Sequence, residues 1–124
     1  MKKYIKYNFE NLEIYQLSSD FAVKIYEISR RFPKEEVFGL TSQLRRATVS
    51  VVLNIAEGSG RGSKKDFARF INQAIGSLLE VKAILILSVK LEYLPEGVAR
   101  DNFPHIDKLF FKLTAFKKCL MRGA

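Results

Sequence analysis

Apolar residues recur along this chain at steps of three and four positions, with polar residues between them. No sustained run alternates apolar and polar residues as a half-buried strand would. The pattern predicts an all-α chain with helices over residues 11–32, 37–58, 63–93 and 104–121, the last beginning at Pro104. Four amphipathic helices with short loops pack most simply as an up-down-up-down antiparallel bundle.

Two of these helices carry more apolar residues than one buried face needs. The additional positions are Val49, Val52 and Leu53 on the second helix and Ile75, Leu79, Ile86 and Val89 on the third. Monomeric proteins rarely leave large contiguous apolar patches in water. The surplus therefore predicts a homo-oligomer, and deep burial inside the monomer is the alternative.

The chain has 124 residues, which predicts one domain over residues 1–124. The single Cys119 excludes an intrachain disulfide, and its periodic position predicts a half-buried thiol in a reducing compartment. We expect a cytoplasmic protein, because the first residues lack the apolar run of a signal peptide. We expect no membrane span, because the most apolar window, residues 78–91, contains charges and is shorter than about 20 residues.

Charge becomes informative once the helices are placed. The chain has 21 Lys and Arg against 13 Asp and Glu, a net charge of +8. Residues 61–69 contribute +3, from four cations and Asp66. The segment after Asp107 contributes +5 and contains no acid; its cations are Lys108, Lys112, Lys117, Lys118 and Arg122. This polarity favours a polyanionic partner.

A line of polar residues follows one side of the second helix. Gln43, Ser50, Asn54 and Glu57 are spaced by seven, four and three positions, and Ser77 and Glu80 on the third helix could face them. The structural interpretation is a polar seam that fixes the register of two helices, and the functional one is a ligand-contacting groove.

The turn over residues 58–66 combines glycines, a helix N-terminus and the cations Arg61, Lys64 and Lys65. Backbone N–H groups and the helix dipole favour anions at such a position. Ser63 and Asp66 also resemble a capping box. The spacing of a P-loop is absent, so the turn is either a plain helix-to-helix connection or a contact for nucleic-acid phosphates.

The last helix combines lysines, among them Lys117 and Lys118, with Phe110, Phe111 and Phe116. One interpretation is an apolar face packed on the bundle and a solvated lysine face. The others are phosphate contacts to RNA or DNA, or attachment to an anionic membrane. Membrane attachment is the weaker, because the bundle core needs the apolar face.

Catalytic chemistry finds little support in the sequence. His105 is the one histidine, and no cysteine pair offers metal-ligand spacing. We expect no enzyme, metal, cofactor or small-molecule substrate. The carboxylates of Glu57 and Glu80 could meet across two helices without forming an acid/base pair, and a hydrolase that uses Glu57 or Glu80 is a remote alternative.

These motifs resemble the 23S rRNA intervening sequence protein family, also called S23-like. The resemblance covers residues 8–94. It rests on the segments 9–17, 43–47, 49–51, 54–58, 63–67 and 74–80. The chain departs from the family pattern at Pro104-His105 and at its cationic end.

The resemblance implies a four-helix bundle encoded within insertions in bacterial rRNA genes or elsewhere in bacterial genomes, with no settled biochemical role. The chain is also similar to the accessory protein of diversity-generating retroelements. That similarity implies a five-fold oligomer, a pentamer, that binds nucleic acid through basic surfaces. The implied contacts in this chain are Arg45, Arg46, Arg61, Lys64, Lys65 and Arg69.

The sequence thus predicts a basic oligomeric bundle that binds RNA or DNA without sequence specificity, with Lys117 and Lys118 among its contacts. The alternative is a structural oligomer that binds an acidic protein.

Overall fold

The computed structural model describes residues 3–123, and this part of the chain forms four α-helices. They are α1 (Glu13–Ser29), α2 (Leu40–Ser59), α3 (Lys64–Lys90) and α4 (Glu96–Arg122). Short 3-10 turns lie at Asn8–Asn11 and Lys34–Glu36. The predicted all-α fold is confirmed.

Side-chain contacts show that neighbouring helices run antiparallel. Gln43 on α2 contacts Glu80 on α3, and Ser50, further along α2, contacts Ser77. The residue number thus rises along α2 while it decreases along α3. The same reversal relates α3 to α4 and α4 to α1. The pairs are Asn72 with Lys117, Lys82 with Phe103, Lys112 with Glu13 and His105 with Lys24. The order is therefore up-down-up-down.

The core lies between the apolar faces of all four helices, and α3 contacts both α2 and α4. On α3, Ile71, Leu78 and Leu85 are fully buried and lie seven residues apart, the spacing of one helical face. By length and composition alone, α3 is apolar enough to cross a membrane. In the bundle, the apolar residues of α3 pack against α2 and α4, because α3 is the central helix of the fold.

The prediction that the fourth helix begins at Pro104 is wrong. Helix α4 begins at Glu96, and Pro104 lies inside it. The first turns are held by tertiary packing, since Ala99 and Asn102 are buried and the Phe103 ring lies 4.9 Å from Lys82 Nζ. An interior proline removes one backbone hydrogen bond and costs about 3 kcal/mol, which burial of this segment outweighs.

Glu36 connects the start of α2 to the segment after α3. Its Oε1 accepts a hydrogen bond from the backbone N–H of Leu40 (2.9 Å), and its Oε2 accepts one from the Tyr93 hydroxyl (2.8 Å). The residue before α2 is Gly39, which has no side chain that could cap the helix. The hydrogen bond from Leu40, followed by that from Tyr93, lowers the pKa of Glu36. The same hydrogen bond to Glu36 raises the pKa of Tyr93.

We expect Glu36→Gln to lower the melting temperature at neutral pH and to have less effect in acid. The pKa of Glu36 is lower in the folded than in the unfolded state. Its stabilising contribution is therefore present above the unfolded pKa and disappears as the pH falls through the folded pKa. Thermal melts of both proteins across this pH range measure the difference.

Glu35→Gln is the matched control, because Glu35 is exposed and makes no hydrogen bond or ion pair within residues 3–123. A difference between Glu36→Gln and the parent protein that stays constant with pH would contradict this role for the Glu36 carboxylate.

Candidate nucleic-acid interface

The antiparallel order brings two basic segments to one end of the bundle. The turn between α2 and α3 lies beside the last turns of α4, where Lys117 Nζ donates a hydrogen bond to Asn72 Oδ1 (3.0 Å). The rings of Phe67 and Phe116 pack edge to face with centroids 5.2 Å apart. We call this region, formed by residues 57–69 and 112–123, the basic end. It unites cations that the sequence separates by about fifty positions.

The turn is shaped by packing as well as by capping. A Cβ at Gly58 would lie 2.7 Å from Phe70 Cβ, so a glycine lets α2 approach α3 closely here. Ser63 Oγ accepts a hydrogen bond from the Asp66 backbone N–H (3.0 Å) and caps α3. Only this half of the predicted capping box forms, because the Asp66 carboxylate contacts arginines instead.

Acidic neighbours compensate the two arginines of the turn. Arg61 pairs with Glu57 (2.7 Å) and more distantly with Asp66 (3.8 Å), and Arg69 pairs with Asp66 (2.8 Å). Both guanidinium groups also lie over the Phe70 ring, at 4.6 and 4.7 Å from its centroid. These pairs are solvent-exposed, so each is worth under about 1 kcal/mol. They nevertheless offset much of the turn's positive charge.

Four lysines of the basic end have no such compensation. Lys64, Lys65 and Lys118 are exposed and form no ion pair within the described part of the chain. Lys117 is held by a neutral amide, which leaves its charge uncompensated. Of the predicted nucleic-acid contacts at the basic end, these four lysines therefore carry the positive charge that no acidic side chain offsets.

Two other lysines of α4, Lys112 and Lys108, act on the start of α1. Glu13 Oε1 accepts a hydrogen bond from Lys112 Nζ (2.9 Å). That hydrogen bond and the charge of Lys112 lower the pKa of Glu13, with a further contribution from Lys108. The Glu13 carboxylate is thus stabilised in its charged form.

Arg45 and Arg46 do not join this site. They lie near the start of α2, roughly 22 Å along the helix from the turn. Arg45 Nε donates to Ser29 Oγ (2.8 Å), and its guanidinium lies 4.9 Å from the centre of the Tyr26 ring. Arg46 is exposed and lines a groove beside α2. The structure therefore separates the two arginines from the other six predicted contacts.

The predicted polar seam connects α2 to α3 at two levels. Ser50 and Ser77 share a hydrogen bond of 2.9 Å, and Gln43 Nε2 donates to Glu80 Oε2 (3.4 Å). Asn54 Nδ2 donates to the carbonyl and to the hydroxyl of Ser50 (2.8 and 3.0 Å). These side chains are half-buried or exposed, so the seam lies at the bundle surface, where it connects the two helices.

The last residue of the seam, Glu57, turns away toward Arg61. Because Glu80 lies beside Gln43, the two carboxylates are roughly 21 Å apart along α2. The two carboxylates therefore do not meet across the helices, although the sequence allowed such a contact. Among residues 3–123, no three His, Cys, Asp or Glu side chains group as metal ligands.

The outer face of α4 differs from the prediction in two side chains. Phe110 and Phe116 pack against the core, but Phe111 is 70% exposed. Cys119 is exposed as well, where a half-buried thiol was predicted. Core contact at this level of α4 is made by Phe116 and Leu120, which leaves Cys119 on the solvent side.

The surplus apolar positions divide into exposed and half-buried residues. Leu53, Leu79 and Ile86 are 59%, 50% and 44% exposed. Val49, Val52, Ile75 and Val89 are half-buried at the edges of the helix contacts. The monomer thus partly buries four of these seven apolar side chains and leaves the other three exposed to water.

Comparison with known proteins supports the fold. A crystal structure of a protein of unknown function from the S23 ribosomal protein family of Bacteroides thetaiotaomicron superposes with a TM-score of 0.78. The two chains are 23% identical over 85% of this chain and 98% of the other. No curated protein matches the sequence significantly. The family model of the 23S rRNA-intervening sequence protein matches residues 10–115, so the chain belongs to that family.

Proposed function

We propose that this protein is a homo-oligomeric module that binds nucleic acid through the phosphate backbone. The observation that carries the proposal is the convergence of Lys64, Lys65, Lys117 and Lys118 at one end of the bundle. Exposed lysines attract phosphates by charge and release counterions, without reading base sequence. RNA is the proposed ligand and DNA is the alternative, because phosphate contacts do not distinguish the two.

Self-association is the second part of the proposal, and the outer side of α2 is the proposed contact. Leu53 is 59% exposed, and it lines a groove together with Val49, Ser50 and Asn54. The charged residues of the same groove are Arg45, Arg46 and Glu57. An exposed apolar residue among polar and arginine side chains suits a protein interface. The similarity to the retroelement accessory protein extends the proposal to a pentamer with nucleic acid bound on its basic surfaces.

We expect Lys64→Gln/Lys65→Gln to weaken RNA binding and to make it less sensitive to salt. Loss of two phosphate contacts on a single strand lowers the slope of log affinity against log salt by about 1.4. Fluorescence anisotropy with a labelled RNA at several salt concentrations measures both quantities.

Lys34→Gln/Lys90→Gln is the matched control, because it removes the same charge from the opposite end of the bundle. Equal loss of affinity in the two variants would mean that net charge, and not the basic end, governs binding. If the protein binds no RNA but captures an acidic protein after nuclease treatment, the alternative of a structural oligomer that binds an acidic protein is favoured.

We expect Asp66→Asn to strengthen RNA binding about two- to fivefold, the equivalent of one or two exposed ion pairs. The substitution keeps the size of the side chain, removes the ion pair of Arg69 and removes the 3.8 Å contact of Arg61, which keeps its pair with Glu57. Asp101→Asn changes the net charge equally at the opposite end and serves as control in the same titration. If both variants gain equally, the ion pairs do not limit binding at the turn.

We expect Leu53→Glu to dissociate the oligomer toward the monomer mass of 14.2 kDa. A carboxylate placed in the proposed interface is costly to desolvate. Light scattering at several protein concentrations measures the mass. Val23→Glu on α1 is the control, because Val23 is 61% exposed, nearly as Leu53 is. A parent protein that is monomeric at every concentration would refute self-association.

A further inference from the structure

The outer face of α4 presents an aromatic ring among cations. Lys108, Phe111, Lys118 and Arg122 are all exposed and follow one another at helical spacing. We call these four residues the α4 outer stripe. None of its three cations forms an ion pair within residues 3–123, whereas the neighbouring Lys112 is paired with Glu13.

The Phe111 ring is positioned by its neighbour. The rings of Phe110 and Phe111 meet edge to face, with centroids 6.1 Å apart and planes at 75°. Phe110 is partly buried and packs against the core, so it supports the Phe111 ring from the bundle side. Phe111 remains 70% exposed, which leaves most of its ring area in water.

The surroundings of Phe111 favour nucleic acid over a protein as its partner. The centres of protein interfaces are depleted of lysine, and covering Phe111 with another protein would desolvate the cations of the α4 outer stripe. A nucleobase can stack on an aromatic ring while its phosphates stay in contact with lysines.

We propose that Phe111 is a stacking platform for an unpaired base, and that the α4 outer stripe and the basic end together therefore bind single-stranded nucleic acid in preference to duplex. This inference rests on the proposed function and adds the strandedness of the ligand. In a duplex the base faces are already stacked, so a duplex gains only the phosphate contacts.

The α4 outer stripe is continuous with the lysines of the turn. Phe111 and Arg122 are roughly 16 Å apart along the helix. Beyond Arg122, Gly123 lies against the Lys64 side chain, where a Cβ would come within 2.6 Å of Lys64 Nζ. A strand stacked on Phe111 would follow Lys118 and Arg122 toward Lys64 and Lys65.

The test is the affinity of parent and Phe111→Ala proteins for an unstructured single-stranded RNA, for single-stranded DNA of the same sequence, and for the RNA duplex. Loss of one stacked base lowers single-strand affinity about five- to 150-fold. Duplex affinity is expected to stay within about twofold. Phe111→Tyr keeps a ring and is expected to retain binding, while Phe111→Leu is expected to lose it. The two single-strand arms show whether RNA and DNA share the site.

Phe38→Ala is the matched control, because Phe38 is 96% exposed and precedes α2 at the opposite end of the bundle. Equal weakening of single strand and duplex by Phe111→Ala, or no weakening, would overturn base stacking. A lower oligomer mass for Phe111→Ala by light scattering would overturn it too, by showing a protein contact. In either case the Lys64→Gln/Lys65→Gln result still decides phosphate binding independently.

Discussion

The packing of α3 between α2 and α4 is the constraint on which the rest of this structure depends. Since both neighbours run antiparallel to α3, the end of α2, the start of α3 and the end of α4 must share one end of the bundle. The hydrophobic contacts along Ile71, Leu78 and Leu85 thereby bring together cations that would otherwise repel each other. Glu13, Glu57 and Asp66 offset part of that repulsion through ion pairs.

The fold was largely predictable because helical periodicity dominates the sequence. The four helices, their antiparallel order and the contact between Ser50 and Ser77 follow from residues spaced by three, four and seven. The start of α4 did not follow, because Pro104 is a local signal for a helix start. Burial of Ala99 and Asn102 in the bundle extends the helix to residues before Pro104. A short stretch of sequence does not reveal this burial, because it depends on contacts with other helices. The hydrogen bond from the Tyr93 hydroxyl to Glu36 could not be predicted from the sequence either, since 57 positions separate the two residues.

The site was predictable in part. The basic segments were evident from composition, but their convergence depends on the fold. The ion pairs of Arg61 and Arg69 could have been found, because Glu57 and Asp66 precede them by four and three positions, the spacing of helical neighbours. Exposure of Phe111 also follows from its angular distance to Leu109 and Leu113, once the core face of α4 is known. The sequence pattern alone grouped Phe111 with its buried neighbours.

The arginines and lysines near the turn between α2 and α3 differ in their contacts, and this difference affects how specific the proposed interface is. The planar guanidinium groups of Arg61 and Arg69 are committed to carboxylates and to the Phe70 ring, where their shape is an advantage. The uncommitted charges belong to Lys64 and Lys65, flexible point charges that meet phosphates in many geometries. Bidentate recognition of a base edge would need the opposite arrangement. Under the proposed function, this arrangement suits contacts to the phosphate backbone better than readout of base edges.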